Sequence, residues 1–485
     1  MNSTIVPAPA DEGLRALNER VRRDLEYIKY PEPLWVPRKA TARGDRVLNV
    51  LVVGAGHGGL AVGVMLQRER VDNFLIIDRA ERGREGPWRT YARMPTLRSW
   101  KTVTGPDLGV ASLTFQSWFE AQWGAETFER LNKIPTTMWH DYLLWIRDVL
   151  ALPVKNEVEL MLISLEPGAL HLRATIRERG VVSQVMARKV VLAMGIERSG
   201  RWWMPPHIEA LPPRFRAHTS DDIDFRALAG RRVAVLGAGA SAFDNAAVAL
   251  ESGAAHVSLF CRRASIQRVQ PFKAISYPGY LRHFGDLDDA IRWKWMRHLL
   301  PLREALPVET WQRVTRHHNF SLHTGFPWDR VEVIGNAVRI ETPKGVHEAD
   351  FLILGTGLVI DMRERMELGD LTGHIATWGD RFTPAKGDDD ARLSSFPYLG
   401  PGFELIEKTP GAAPCLANIH VFDFGATMSL GPSGSSVNAM KFAVPRLVDK
   451  ITRDLFREDL DHHFQALVDY DEPEFPLTFA RDAKP

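Results

Sequence analysis

Cysteine is almost missing from this chain. Only Cys261 and Cys415 occur, far apart and without a CxxC pair. That excludes dithiol–disulfide relay chemistry and implies no disulfide framework, which suits a reducing cytoplasm. Net charge is nearly missing as well: 61 Lys and Arg stand against 60 Asp and Glu, a formal +1. No field of one sign is available to gather nucleic acid or anionic lipid. No apolar run approaches the roughly 18 residues of a membrane span. The opening MNSTIVPAPADEGL lacks the basic start and apolar stretch of a signal peptide. The expectation is a cytoplasmic protein with no membrane or nucleic-acid partner; whether it forms a homo-oligomer stays open.

At 485 residues the chain exceeds one ordinary core, so two or three domains are expected. An apolar content of 45% with 25% charged residues is that of a well-packed globular protein. The 14 tryptophans suit either aromatic walls around a planar ligand or plain core packing. Leu14, Leu17, Val21, Leu25 and Ile28 recur at helical spacing, and Pro31, Pro33 and Pro37 then end that helix in an extended connector.

From Arg46 the pattern becomes strand, Gly-rich turn, helix and strand, and the same order returns from Arg231 about 180 residues later. Two further apolar strands end in glycine, KVVLAMG at 189–195 and FLILGTG at 351–357. The fold class this implies is α/β, with two Rossmann-like dinucleotide-binding domains, the second inserted in the first. The expected division is an N-terminal helix and connector (1–45), a first domain in two parts (46–200 and 345–470, the latter with a C-terminal helix), and a second domain at 201–344. Segment 264–330, rich in Trp, His and Phe, is expected to contribute to a substrate cavity. Segment 381–412 reads as a long surface loop.

In the first loop, VLNVLVVGAGHGGLAVGVML, Gly54, Gly56 and Gly59 fit G-x-G-x-x-G after a β-branched strand. The first glycine permits the turn, the second admits a pyrophosphate to the backbone, and the third lets helix pack on strand. The strand FLIID then ends at Asp78, 24 residues after Gly54, where an acid can accept bonds from ribose hydroxyls. In the second loop, RRVAVLGAGASAFDNAAVAL, Gly237 and Gly239 hold the first two positions and Ala242 the third, while Ser241 adds a hydroxyl. The place equivalent to Asp78 is Cys261, followed by Arg262 and Arg263. With the ribose acid replaced and two cations behind it, NADPH is favoured, NADH remaining open. His57 reads as a tolerated turn residue. His317, His318 and His323 have no carboxylates at ligand spacing, so no metal is expected.

The stretch after Asp78, GREGPWRTYARMPTLRSWKTVTGPDLGV, resembles the class B flavoprotein monooxygenases. GPWRT, with Trp88, is similar to the segment that follows their FAD ribose acid, and 94–104, with Arg98 and Lys101, to the N-hydroxylase region beside flavin and substrate. FLILGTG, with Gly357, resembles their domain-linking motif. FRAHTS lacks the glycine of the F-x-G-x-x-x-H fingerprint, which points away from Baeyer–Villiger chemistry. Blocks such as SLTFQSWFEAQWG and NIHVFDFGATMSLG resemble the FAD-dependent urate hydroxylase-like group over most of 46–450.

The resemblance implies FAD at the first loop and NAD(P)H at the second. It also implies insertion of one oxygen atom, through a flavin hydroperoxide, into a small nitrogenous substrate, either a urate-like heterocycle or an amine. The alternative is an NAD(P)H-dependent flavin oxidoreductase without oxygen insertion. In GPSGSSVNAMKFAVPRLV, Ser435 or Ser436 is expected to cap a helix, and the resemblance implies that its N-terminus faces the flavin. Lys101 and Asn438 are the candidate catalytic residues, with Arg98, Gln270 and Lys273 as further contacts.

Overall fold

The computed structural model describes residues 11–165, 171–302 and 304–475; the reading of the first ten residues falls outside them. Asp11–Tyr27 is helical as the spacing requires, and Leu17 and Val21, four apart on one face, are buried. An irregular connector through residue 38 leads to the first sheet.

In that sheet Arg46–Val53 lies between Phe74–Ile77 and Val181–Leu192, parallel to both. Every residue of Arg46–Val53 after the first is buried. This is why the strand reads as an unbroken apolar run rather than an alternation. Val154–Lys155 extends one side, and Leu172–Glu178 with Val158–Ser164 forms an antiparallel flank on the other. The second sheet is wholly parallel. Its order is Phe320–Thr324, His256–Cys261, Arg232–Leu236, Phe351–Leu354, Arg216–His218. The chain returns to the first sheet when Ile419–Val421 pairs parallel with Val181–Leu192, so the second sheet is nested within the first.

Two expectations need correction, and a third holds for part of its segment. Phe351–Leu354, assigned by sequence to the resumed first domain from 345, pairs with Arg232–Leu236 and belongs to the second sheet. The crossing back comes after it, at Leu358–Val359, which pairs antiparallel with Arg201–Trp202. These two short strands form the two-stranded link between the units.

The segment 381–412 is not all surface: Leu393, Phe396, Leu399, Phe403 and Leu405 are buried. Phe396 and Leu393 share a core with Tyr280, Trp293 and Met296, so the polar DDD and glycines conceal apolar residues that meet a distant helix. Segment 264–330 does line the cavity between the two Gly-rich turns, through Gln267, Arg268, Phe272, Lys273 and Leu281 among others, but not over its whole length. Asp289–Leu302 packs into that same core, whereas Val308–Thr315 packs on the second-loop helix and Phe320–Thr324 is a sheet strand.

Both Gly-rich turns are built by one steric device. A Cβ on Gly54 would stand 2.5 Å from the Ala193 carbonyl oxygen, and one on Gly237 would stand 2.3 Å from that of Gly355. Both glycines have positive φ, 105° and 140°, a region that side chains disfavour. The third positions differ. A Cβ on Gly59 would meet the Gly54 oxygen at 1.8 Å, but Ala242 is tolerated because it faces Gly355, where an added Cβ would lie 2.6 Å from its methyl. The alanine and the glycine are therefore a matched pair. Gly355→Ala is expected to destabilise the protein by about 1–3 kcal/mol through overpacking. The double variant Gly355→Ala/Ala242→Gly should lose less than the two single losses combined, as read from denaturant midpoints. Additive losses would mean that the two residues do not press on each other.

Candidate active site

Both turns open at the carboxyl ends of their parallel sheets, where α/β folds bind ligands. There they share one cavity of about 2120 Å³, more than twice the upper size of an ordinary small-molecule pocket at roughly 1,000 Å³. Gly54, Gly56, Asp78 and Trp88 line one end, and Gly237, Gly239, Ser241, Arg262 and Arg263 the other; Gly357, Ser435 and Asn438 lie along the same walls. Gly59 does not reach the cavity, because its role is the helix–turn contact just described.

Each turn runs into a helix, His57–Arg68 and Ala240–Glu251, whose N-cap is glycine and offers no side-chain bond. The first N–H groups of a helix have no partner within it, and the dipole there favours an anion. Two such ends face one cavity. A Cβ on Gly56 or on Gly239 would meet nothing within 4 Å, so the space over each turn is a cradle that a side chain would fill. These are the features a dinucleotide pyrophosphate requires.

Asp78 holds the first turn in shape: its Oδ2 accepts from the Ala55 N–H at 2.7 Å and its Oδ1 from the Ala80 N–H at 2.8 Å. Burial raises its pKa, and these two bonds partly offset that. At the equivalent place Cys261 is buried, its thiol pKa also raised by burial. Arg262 is exposed with no ion-pair partner among the described residues, and Arg263 spends one donor on the Pro301 carbonyl at 2.6 Å.

The third wall is the segment 431–438, whose contact with the first loop sequence reading missed. A Cβ on Gly58 would stand 2.9 Å from the Gly434 oxygen, and one on Gly434 only 1.8 Å from the Phe422 oxygen. Three backbones therefore stack without side chains between them. His57 and Trp88 lie beside this stack with rings 5.8 Å apart. Their Nε2 and Nε1 are buried without partners. Burial lowers the His57 pKa to about 4, the Gly434 carbonyl pulling slightly the other way. His57 is thus a neutral, cavity-lining side chain, more than a tolerated turn residue.

Two candidates are misplaced by sequence reasoning. Lys101 turns away from the cavity: its ammonium donates to the carbonyls of Phe128 and Glu129 at 2.8 and 2.9 Å. It caps the end of Ala125–Arg130, where a cation meets unsatisfied carbonyls. Neither Ser435 nor Ser436 caps a helix through its side chain; a short turn, Val437–Ala439, precedes the helix Met440–Glu458. Arg98 lines the cavity but is committed to Glu304 at 2.6 Å and Asp244 at 3.2 Å. Since Asp244 lies in the second-loop helix, Arg98 ties the two units together. Gln270, Lys273 and Asn438 do face the cavity. His323 stacks on Phe260, centroids 4.6 Å apart.

A relative covering nearly the whole chain decides the family. The FAD-dependent urate hydroxylase of Xanthomonas campestris pv. campestris is 42% identical over 469 residues, 95% of this chain and 97% of that one. The chain belongs to the family of that enzyme. It is a flavoprotein monooxygenase. A family model described as pyridine nucleotide-disulphide oxidoreductase matches residues 51–278. Within that range Cys261 stands alone, so this chain has no cysteine pair there.

Two solved structures share the fold at lower identity. The ornithine N-hydroxylase of Kutzneria sp. 744 has a TM-score of 0.65 at 18% identity, covering 84% of this chain and 99% of that chain. The L-lysine 6-monooxygenase of Pseudomonas syringae has the same score and coverage at 17% identity. Among the described residues no helix is long and apolar enough to cross a membrane.

Three buried histidines are expected to make the protein acid-sensitive. The pKa values of His57 and His218 are lowered to about 4, and that of His420 to about 3, each mainly by burial. An unfolded histidine takes its proton near pH 6.5. Between there and pH 4 the unfolded chain holds more protons, so stability rises with pH and is lost as pH falls through this window. The expected loss at pH 5 is about 2 kcal/mol per histidine. Urea midpoints at pH 7.5 and 5 measure it, and His218→Asn should remove one such increment. An unchanged pH slope in that variant would contradict the assignment.

Proposed function

We propose that FAD binds along the first turn, NADPH along the second, and that the chain hydroxylates a urate-like anionic heterocycle in the cytoplasm. The single observation that carries this reading is the continuity of one large cavity between two helix N-termini whose glycine caps offer no side-chain bond. The neighbouring walls support the cofactor fit. Trp88 and His57 carry unpartnered buried nitrogens there, and Asp78 presents its carboxylate beside the first turn. When bound, the two cofactors supply hydride transfer and oxygen insertion. The protein contributes orientation, exclusion of water and charge at the substrate.

That charge favours an anion over the amine left open by sequence. Arg268 and Lys273 face the cavity without ion-pair partners among the described residues, the Lys273 ammonium 5.3 Å from the centre of the Trp100 ring. The carboxylates nearby are already taken: Asp244 and Glu304 by Arg98, Glu309 by Lys133 at 2.9 Å. Beside Lys273 an ammonium substrate would find these carboxylates engaged, with Glu81 and Asp222 elsewhere on the cavity wall, whereas a planar anion there would find an indole face and a cation. The relative named a urate hydroxylase supports the same choice. Urate should therefore accelerate NADPH oxidation with one hydroxylated product per nucleotide, while ornithine and lysine do not. Peroxide in place of product with every compound would favour the oxidoreductase that inserts no oxygen.

Two substitutions separate the turns. Because a Cβ at Gly56 or Gly239 meets nothing, valine at either position should leave the fold intact and fill the cradle. Gly56→Val is expected to yield folded, colourless apoprotein. Gly239→Val should stay yellow but lose rapid flavin bleaching by NADPH in stopped flow. Full flavin in Gly56→Val would overturn the assignment of the first turn.

Arg262 tests the nucleotide. Removing one charge-assisted contact to a 2′-phosphate removes about 1.5–3 kcal/mol, roughly 10- to 150-fold in affinity. Arg262→Ala should raise KM for NADPH by that order and leave NADH almost unchanged. Equal loss for both nucleotides would rule the phosphate role out.

A further inference from the structure

We propose that the C-terminal helix Leu460–Val468 and the connector at 28–34 form one self-complementary face on which a second copy of this chain docks. The helix has no buried residue. Its Phe464, Leu467 and Val468 are 66%, 70% and 60% exposed. Their three- and four-residue spacing is that of a stripe that ordinarily faces a core. Here it faces outward. In the connector Tyr30 is 90% exposed and Leu34 61%.

The two segments are continuous. Trp35, next to Leu34, has its ring 5.9 Å from His463 and 6.5 Å from Phe456, and those two rings stack at 5.2 Å. With side chains of roughly 150–250 Å² for aromatics, these residues and Tyr470 expose on the order of 800 Å² of apolar surface. The largest patch of a typical monomer is about 300–600 Å², and a stable interface takes about 800 Å² from each partner.

The charges around the patch select the occupant. Arg22, Arg23 and Arg457 are exposed and carry no ion pair among the described residues; nor do Asp471, Glu472 and Glu474 just beyond the helix. An apolar centre flanked by unpaired cations and unpaired anions of the same chain fits a two-fold interface. There one copy's acids meet the other's bases around the axis. The same acids, set beside the apolar helix, would repel an anionic lipid surface.

The test is the mass of the full-length flavin-loaded protein by sedimentation from about 0.5 to 50 µM, a range wide enough to catch a micromolar equilibrium. The expected species has twice the 54.7 kDa chain mass and dissociates as salt rises. Phe464→Glu/Leu467→Glu, at exposed sites, should weaken association at least 100-fold while keeping its flavin and melting temperature. Arg22→Glu/Arg23→Glu should weaken it about 10-fold, and adding Asp471→Lys/Glu472→Lys should restore it. A wild-type monomer throughout, a dimer that survives Phe464→Glu/Leu467→Glu, or a monomer that sediments with phosphatidylserine vesicles would each overturn the proposal.

Discussion

The architecture depends on how closely a turn can approach the strand beside it. At Gly54 and again at Gly237 the chain leaves a buried strand and passes within 2.5 Å and 2.3 Å, measured to where a Cβ would stand, of a neighbouring carbonyl oxygen. Only this closeness lets the following helix start directly over the sheet's carboxyl edge. Its unsatisfied N–H groups are thereby aimed into the cavity rather than at solvent. Cradle and packing are one constraint, since the absent side chain that permits the approach also empties the space above it.

The constraint is met twice with different residues. The first unit uses a third glycine, Gly59, against its own turn; the second uses Ala242, with the room supplied by Gly355 on the adjacent strand. That strand, Phe351–Leu354, is the one sequence reading placed in the wrong unit. Its position explains why the crossing link must follow it immediately, at Leu358–Val359. The two units then meet across one cavity, joined on its wall by Arg98 and Asp244. Arg98 is committed to that tie, whereas Arg262, Arg268 and Lys273 face the same cavity without ion pairs among the described residues, and the proposed choice of an anion rests on them.

Much of this was legible from spacing. Both turns, Asp78 and Cys261 with its two arginines line the cavity where counting put them, because each is tied to its strand by a few residues of rigid backbone. Lys101 failed because a lysine stem reaches in any direction. Phe128 and Glu129 come from a short helix whose carbonyl end nothing local announces. The side-chain cap expected at Ser435 or Ser436 is absent because Gly434 is pressed under Phe422 and starts a separate turn before the helix begins. The apolar residues inside 381–412 were hidden because they have no period of their own. Leu393 and Phe396 bury against Trp293 and Met296, about a hundred residues earlier in the chain, while Leu399, Phe403 and Leu405 join the core of the first sheet.

By itself, then, the sequence determined the two Gly-rich turns, their strands, the nesting of one sheet in the other and the exclusion of disulfide chemistry. Each of these rests on short-range geometry: a φ that glycine alone adopts readily, a buried parallel strand, a count from turn to acid. Only the tertiary structure decided that both turns open into one cavity and that Gly434 lies on Gly58. It also decided that Arg98 is spent between the units while Lys273 is free, and that the C-terminal helix points its apolar stripe outward. Those outcomes depend on which distant groups compete for a side chain or a surface, and no local pattern records that competition.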